Sequence, residues 1–382
     1  MKVTLIRSRA ITPNIRKVAR VLSKNGYDVK LLLWDRQDTL KNEEGAKYRV
    51  FSFNLRAPYD KFSVLFYLPR WWMFELLFLL RDDSEVIHAC DLDTLMPAIL
   101  AKWVRRAKIS YTIYDLYAAN FQGWIARKLL GFIERLAIRS TDLLILVNEL
   151  QYTTVQRAKI KNAVIIYNSP RDCFDGTNGQ LLRHRSKELD EFKIFYAGAI
   201  HESRGLRYMI KAIRDLDDVR LTIAGMGPAK SLLDDLLPSM RKKIHYIGYI
   251  PYKKVIEKTM EADMLFAFYD TAFPFSKYAS PNKLFEAMMC SKPIIVSDGG
   301  LMADIVRKVN CGLVVPYGDT QAISEAIVSL KMNEKLRQEL GENGRKAYET
   351  QYSWALMEKR LIDSYGRLRS KEQVLQLNRA RQ

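Results

Sequence analysis

At 382 residues the chain is long for a single core and predicts two domains. Apolar residues at 48%, charged residues at 27% and the lack of any proline-rich, glycine-rich or strictly repetitive tract exclude a disordered, collagenous or solenoid protein. The 61 Lys and Arg against 43 Asp and Glu leave a formal charge of +18, which favours anionic partners: nucleic acid, an anionic membrane surface or phosphorylated substrates.

VTLIRS (3–8) predicts a buried strand, and a helix follows in IRKVARVLSKNGYD, where Ile15, Val18, Val21 and Leu22 fall at helical spacing and Gly26 supplies the stop. VKLLLW predicts a second strand. The run from Phe62 to Leu80 is the one candidate membrane span, but Pro69, Arg70 and Glu75 interrupt it, and each central charge costs about 2.5–3.5 kcal/mol on insertion. It is either a helix packed into the first domain or one that offers Trp71, Trp72 and Phe74 to a lipid interface. Then come the strand EVIHA, with His88 expected at its end facing the ligand edge, the helical DTLMPAILAKWVRRAK, the strand SYTIYDL, the helical ARKLLGFIERLAIRS, and the strands DLLILV and AVIIYNS. Asp93 is expected to cap a helix from Thr94, although the DLD of Asp91 to Asp93 also admits a metal reading; the four histidines show no ligand spacing. Cys90, Cys173, Cys290 and Cys311 show no CxxC spacing and follow no secretory signal, so a reduced cytoplasmic location is expected.

A polar, irregular stretch marks a linker, and a second α/β series follows: FKIFYAGA, LRYMIKAI, RLTIAGMG, KIHYIGYI, YKKVIEKTMEA, MLFAFY, PIIVSDGG, GLVVPYG and QAISEAIVSLK. The reading is α/β, with two Rossmann-like doubly wound domains facing a cleft: residues 1–170, a linker at 171–190, residues 191–350, and a C-terminal helix in 351–382 packing back toward the first domain.

SPNKLFEAMMCSKPIIVSDGG (280–300) holds the clearest chemistry. Ser280 suits an N-cap and Pro281 the first helical position. Leu284, Ala287 and Met288 point to the core and leave Lys283 and Glu286 on the other side, either as a solvated pair or as part of a nucleotide site. There the helix tip and Lys283 would take phosphate and Glu286 would take ribose hydroxyls, beside the backbone turn at Gly299 and Gly300. In FYAGAIHESRGL a strand ends at Gly198, a short loop holds Arg204, and Gly205 opens a helix; arginine is suited to a diphosphate. IAGMGP lacks the third glycine of GxGxxG and is only a weak turn signal.

Taken together, YAGAIHESRGLRYMIKAI, RLTIAGMGP, SPNKLFEAMMCSKPIIVSDGG and NCGLVVPYGDTQAISEAI resemble the C-terminal half of retaining glycosyltransferases of family 4, which have the GT-B fold. TPNIRKVARVLSKNGYDVKLLLWDR, EVIHACDLDTLMPAILAKW and YTIYDLY resemble the first half more loosely. The resemblance implies a nucleotide-sugar donor held by the second domain and an acceptor held mainly by the first. It implies that Glu286 is the ribose-binding second glutamate of the family pair, that Arg204 stands for the usual diphosphate-binding lysine, and that Gly198 opens the loop of the GRxxxxKG motif. Asp304 stands where the family often has a glutamate. Three family positions differ: the first glutamate falls on Tyr278, an arginine on Ala199 and a sugar-contacting histidine on Tyr117, with Lys283 expected to replace the arginine. The N-terminal loop SRAITPN also lacks the usual glycine pair.

The expectation is a glycosyltransferase moving a sugar, with retention, from a UDP- or GDP-linked donor to a glycan or lipid-linked acceptor, with no metal or other cofactor. Arg204 and Lys283 would be catalytic; Gly198, Arg204, Pro281, Asn282, Lys283, Glu286, Gly299 and Gly300 would bind donor; His88, Asp115 and Tyr117 are acceptor-side candidates. Basic residues at 102, 105, 106, 108, 127, 128, 135 and 139, with Trp71 and Trp72, suggest an anionic membrane surface and a peripheral place on the inner face of the cell membrane. The alternatives are a degenerate, non-catalytic subunit and a nucleic-acid-binding protein; no nucleic-acid module is recognised.

Overall fold

The computed structural model describes residues 1–9, 12–36, 47–58, 63–116, 123–155, 158, 160, 162–174, 191–234, 236, 238–279 and 281–369. The chain divides into two compact units, Met1–Tyr167 with Met357–Gln382, and Asn168–Leu356. Most of the expected linker lies outside the described residues.

In the first unit, strands β1 (Lys2–Arg7), β2 (Asp28–Asp35), β3 (Arg49–Asn54), β4 (Val86–Cys90), β5 (Lys108–Ile113), β6 (Leu143–Leu146) and β7 (Ala163–Ile165) form one parallel sheet in the order β3-β2-β1-β4-β5-β6-β7. The helices are α1 (Pro13–Lys24), α2 (Leu68–Arg81), α3 (Leu92–Arg105), α4 (Trp124–Ile138) and α5 (Glu149–Val155). The strand order reverses between β1 and β4. Right-handed crossovers therefore put α1 on one face of the sheet and α2, α3 and α4 on the other.

The second unit has β8 (Phe192–Ala197), β9 (Val219–Ala224), β10 (Ile244–Tyr246), β11 (Met264–Ala267), β12 (Ile294–Ser297) and β13 (Gly312–Val315), parallel in the order β10-β9-β8-β11-β12-β13. Its helices are α6 (Leu206–Ala212), α7 (Ser231–Asp234), α8 (Pro238–Lys243), α9 (Tyr252–Glu261), α10 (Asn282–Met289), α11 (Leu301–Val309), α12 (Thr320–Met332) and α13 (Glu334–Ala347). Helix α14 (Trp354–Gly366) begins in this unit and ends in the first. Apolar runs such as Ile294–Val296 and Met264–Ala267 are fully enclosed, as strands covered on both faces must be. The order reverses between β8 and β11, and open parallel sheets bind ligands at such a reversal.

Two expectations change here. Of the run from Phe62 to Leu80, Phe62 lies outside the described residues and Leu68 onward forms α2; Trp71 is not at a surface: it is fully buried, stacked on Trp34 with centroids 5.8 Å apart. Trp34 lies on a buried strand, so the indole that looked amphipathic fills the core. Asp93 is not a cap either, because α3 already begins at Leu92; its carboxylate takes the Ser8 hydroxyl, and Thr94 bonds back to the Cys90 carbonyl at 2.8 Å. Among the described residues no helix is long and apolar enough to cross a membrane.

Candidate functional site

The residues at the β8/β11 reversal come from four segments. Strand β8 ends with Tyr196 and Ala197, and Gly198 turns the chain away. The Tyr196 hydroxyl donates to the Ala199 carbonyl at 2.8 Å and fixes that turn. Next comes a short helical turn, Glu202–Arg204, in which the His201 ring accepts the Ser203 N–H at 3.2 Å. Gly205 closes it with φ 63°, and a Cβ there would stand 2.6 Å from that of Phe268, so only glycine fits. This places Arg204, whose guanidinium lies 3.9 Å from the centroid of Tyr269, just past β11. Tyr269 is in turn held by Ser297 on β12, which bonds its N–H and carbonyl at 2.9 and 3.0 Å.

Helix α10 supplies the second cation. Its start differs by one residue from the expectation: Pro281 has extended backbone (ψ 147°) and is the N-cap, so the first helical residue is Asn282. The Pro281 carbonyl then accepts the Leu284 N–H at 3.1 Å; Ser280 lies outside the described residues. Lys283 and Glu286 are not on a solvated face. Both are buried, at 7% and 4% exposure, because α10 is packed against β11, α9 and α13 and every residue from Lys283 to Met289 is buried.

The Lys283 ammonium sits 4.0 Å over the Tyr196 ring, and a Cβ on Gly198 would lie 2.8 Å from its Nζ. Glycine at 198 therefore leaves the ammonium room against the turn. Burial and then the positive Arg204 drive the Lys283 pKa down to about 7, partly opposed by Glu286. Glu286 accepts a hydrogen bond from the Tyr252 hydroxyl at the start of α9. Arg204 has a buried Nη1 with no hydrogen-bond partner among the described residues. Two cations thus lie on aromatic faces with an unused N–H, and a bound anion would supply the missing counter-charge. Gly299, with φ 88°, and Gly300, which caps α11, form the turn after β12; Asp304 is in the first turn of α11.

The structure brings Gly198, Arg204, Lys283 and Glu286 to one sheet edge. Tyr196, Tyr269 and Tyr252 were missed in the sequence; the signal for the first two is a tyrosine at the carboxyl end of an apolar run, in IFYAG and LFAFYD.

The acceptor-side candidates are dispersed. His88 is not at a strand end but in the middle of β4, fully enclosed, with its two ring nitrogens 2.5 Å from the Tyr365 hydroxyl and 2.6 Å from Thr112 Oγ1. Burial lowers its pKa to about 3. The ladder continues to Cys90, opposite Thr112, which seals the ring in. Asp115 is exposed just past β5, its N–H 3.3 Å from Asp91 Oδ1, and Tyr117 lies outside the described residues. The β1/β4 reversal instead gathers Arg7, Ser8, Asp91 and Asp93: Arg7 lies 4.0 Å from Asp91, which also accepts the Tyr114 N–H at 2.9 Å. Burial raises the Asp91 pKa to about 6.

With this geometry in hand, two family models match. Residues 15–169 match Glycosyltransferase Family 4, and residues 180–347 match Glycosyl transferases group 1. The chain belongs to the family 4 glycosyltransferases. An uncharacterized glycosyltransferase of Methanocaldococcus jannaschii is 25% identical over 309 residues, 74% of this chain and 75% of that relative. Other curated relatives match over about half their length. Among solved structures, sucrose-phosphate synthase from Thermosynechococcus elongatus superposes with a TM-score of 0.75 at 16% identity, covering 96% of this chain and 99% of that one. The Anabaena protein HepE in complex with UDP and glucose does so with 0.69 at 14%, covering 96% and 99%. These likenesses establish the GT-B fold, and the chain is a glycosyltransferase.

Proposed function

We propose that the chain transfers a sugar from a UDP- or GDP-linked donor to a glycan or lipid-linked acceptor with retention of configuration, at the inner face of a membrane. The observation that carries the donor part is the pair of cations at the β8/β11 reversal, one with a buried N–H unpartnered among the described residues, beside a buried carboxylate. In this reading the diphosphate lies against Lys283, Arg204 and the N-terminus of α10, whose first turn carries no acidic side chain. Gly198, Gly299 and Gly300 let backbone come close to it, and Pro281 and Asn282 present the helix tip. Glu286 exchanges its Tyr252 bond for the ribose hydroxyls. As the bond between the sugar and the diphosphate breaks, the leaving oxygen gains charge, and the two cations stabilise it more than they stabilise the bound donor. The acceptor hydroxyl attacks on the face the diphosphate leaves and passes its proton to the departing diphosphate oxygen, and the first unit holds the acceptor.

The experiment is incubation with UDP- and GDP-linked sugars and candidate acceptors, with the anomeric configuration of product read by NMR. A product with the donor's configuration is expected; inversion would refute retention. The replacements at Tyr278 and Ala199 favour a second reading, a subunit that binds nucleotide without turnover, and binding with neither transfer nor donor hydrolysis would establish it.

A further inference from the structure

We propose that the exposed face of α2, α3 and α4 is a docking surface for an anionic lipid bilayer. It rests on the reading above only for its purpose, since bilayer binding needs no substrate. On α4, Ile125, Leu129, Phe132 and Leu136 repeat at helical spacing and are all more than half exposed, where a packed helix would bury such a stripe. Helix α3 exposes Leu100, Trp103 at 70% and Val104, and α2 exposes Met73 and Leu77. The right-handed crossovers put all three on one face of the sheet, α2 against α3 and α3 against α4, so the stripes adjoin. Patches of this kind mark interaction sites.

The charges choose the partner. Each helix contains a single acidic residue, and each is turned inward: Glu75 is fully buried, Glu134 receives the Tyr111 hydroxyl at 3.0 Å, and Asp93 takes Ser8. Lys102 and Arg105, expected as docking cations, are held internally by Asp142 and by the Leu79 and Ser84 carbonyls. Exposed Arg70, Arg106, Lys128 and Arg139 remain, none in an ion pair among the described residues. A second copy docked by the same face would set these cations against their own kind. An anionic bilayer meets both requirements, with lipid for the apolar stripes and phosphate for the cations, and the Trp103 and Trp124 rings suit the headgroup level.

The test is co-sedimentation of the full chain with vesicles of phosphatidylcholine alone and of phosphatidylcholine with phosphatidylglycerol in equal parts. Binding to the mixed vesicles, release by salt and little binding to the neutral ones are expected. The Arg106→Ala/Lys128→Ala protein should bind about thirtyfold more weakly, from about fivefold per cation, and Leu129→Ser/Phe132→Ser should bind weakly at any salt. Glu286→Ala should bind as the wild type does, and both surface variants should keep nucleotide affinity, which separates this proposal from the donor reading. Equal binding to both vesicle types, unchanged binding of the surface variants, or a dimer in sedimentation that Phe132→Ser dissolves would overturn it. Salt release of the wild type decides the matter if a variant fails to fold.

Discussion

Lys283 should make nucleotide affinity fall as pH rises from 7 to 9. Burial and Arg204 bring its pKa from 10.5 to about 7, so about half the free protein carries the ammonium at pH 7 and about one molecule in a hundred at pH 9. A bound diphosphate favours the charged form and returns the pKa toward its ordinary value. Proton uptake then accompanies binding, and the association constant should drop about fiftyfold between pH 7 and 9, or about 2 kcal/mol. Burial pushes the Tyr196 and Tyr269 hydroxyls upward, away from this interval. The assay is calorimetric titration of UDP and GDP at several pH values in buffers of different ionisation enthalpy, which counts the protons taken up. Lys283→Met should bind more weakly at pH 7 and show no such slope. It should also be the more stable protein there, because the wild type's unfolded chain holds more protons than its folded one between pH 7 and 10.5, and its stability rises with pH across that window. A flat wild-type profile, or the same slope in Lys283→Met, would show that Lys283 does not set the pH dependence.

Gly205→Ala forces a left-handed alanine and sets its Cβ 2.6 Å from that of Phe268, so a loss of about 2 kcal/mol in denaturant melts is expected, together with weaker nucleotide binding as Arg204 moves; a loss under about 0.5 kcal/mol would contradict the packing described. His88, with its pKa lowered to about 3 by burial, stays neutral while the unfolded ring takes a proton below about 6.5. Stability is therefore lost as pH falls from about 6.5 toward 3, by about 1 kcal/mol per unit, and His88→Gln should lose less of it in acid melts.

The fold was largely legible because fully covered parallel strands read as short apolar runs, and twelve such runs match strands β1, β2 and β4–β13. Strand β3, RVFSFN, was not read: it is an edge strand, half exposed, and its polar alternation resembles a loop. At the site, Arg204 and its two glycines could be placed from a strand end and a turn. The burial of Lys283 and Glu286 could not be read from a single helix face, since it depends on the strands and helices packed around α10. His88 was misplaced because EVIHA was stopped one residue before the ladder stops, and one residue decides whether a ring meets solvent or core. Trp71 and Trp103 show the same limit in reverse: both sit beside basic residues in the sequence, and only the helix orientation buries the first and exposes the second.

The most direct test of the donor site is equilibrium binding of UDP and GDP to the wild type, Arg204→Ala and Glu286→Ala at pH 7. The account predicts that one nucleotide binds the wild type, that Arg204→Ala loses most of the affinity for the diphosphate, and that Glu286→Ala loses the preference for a ribose over a deoxyribose nucleotide. Wild-type affinity retained by both variants would contradict it and would place the donor elsewhere.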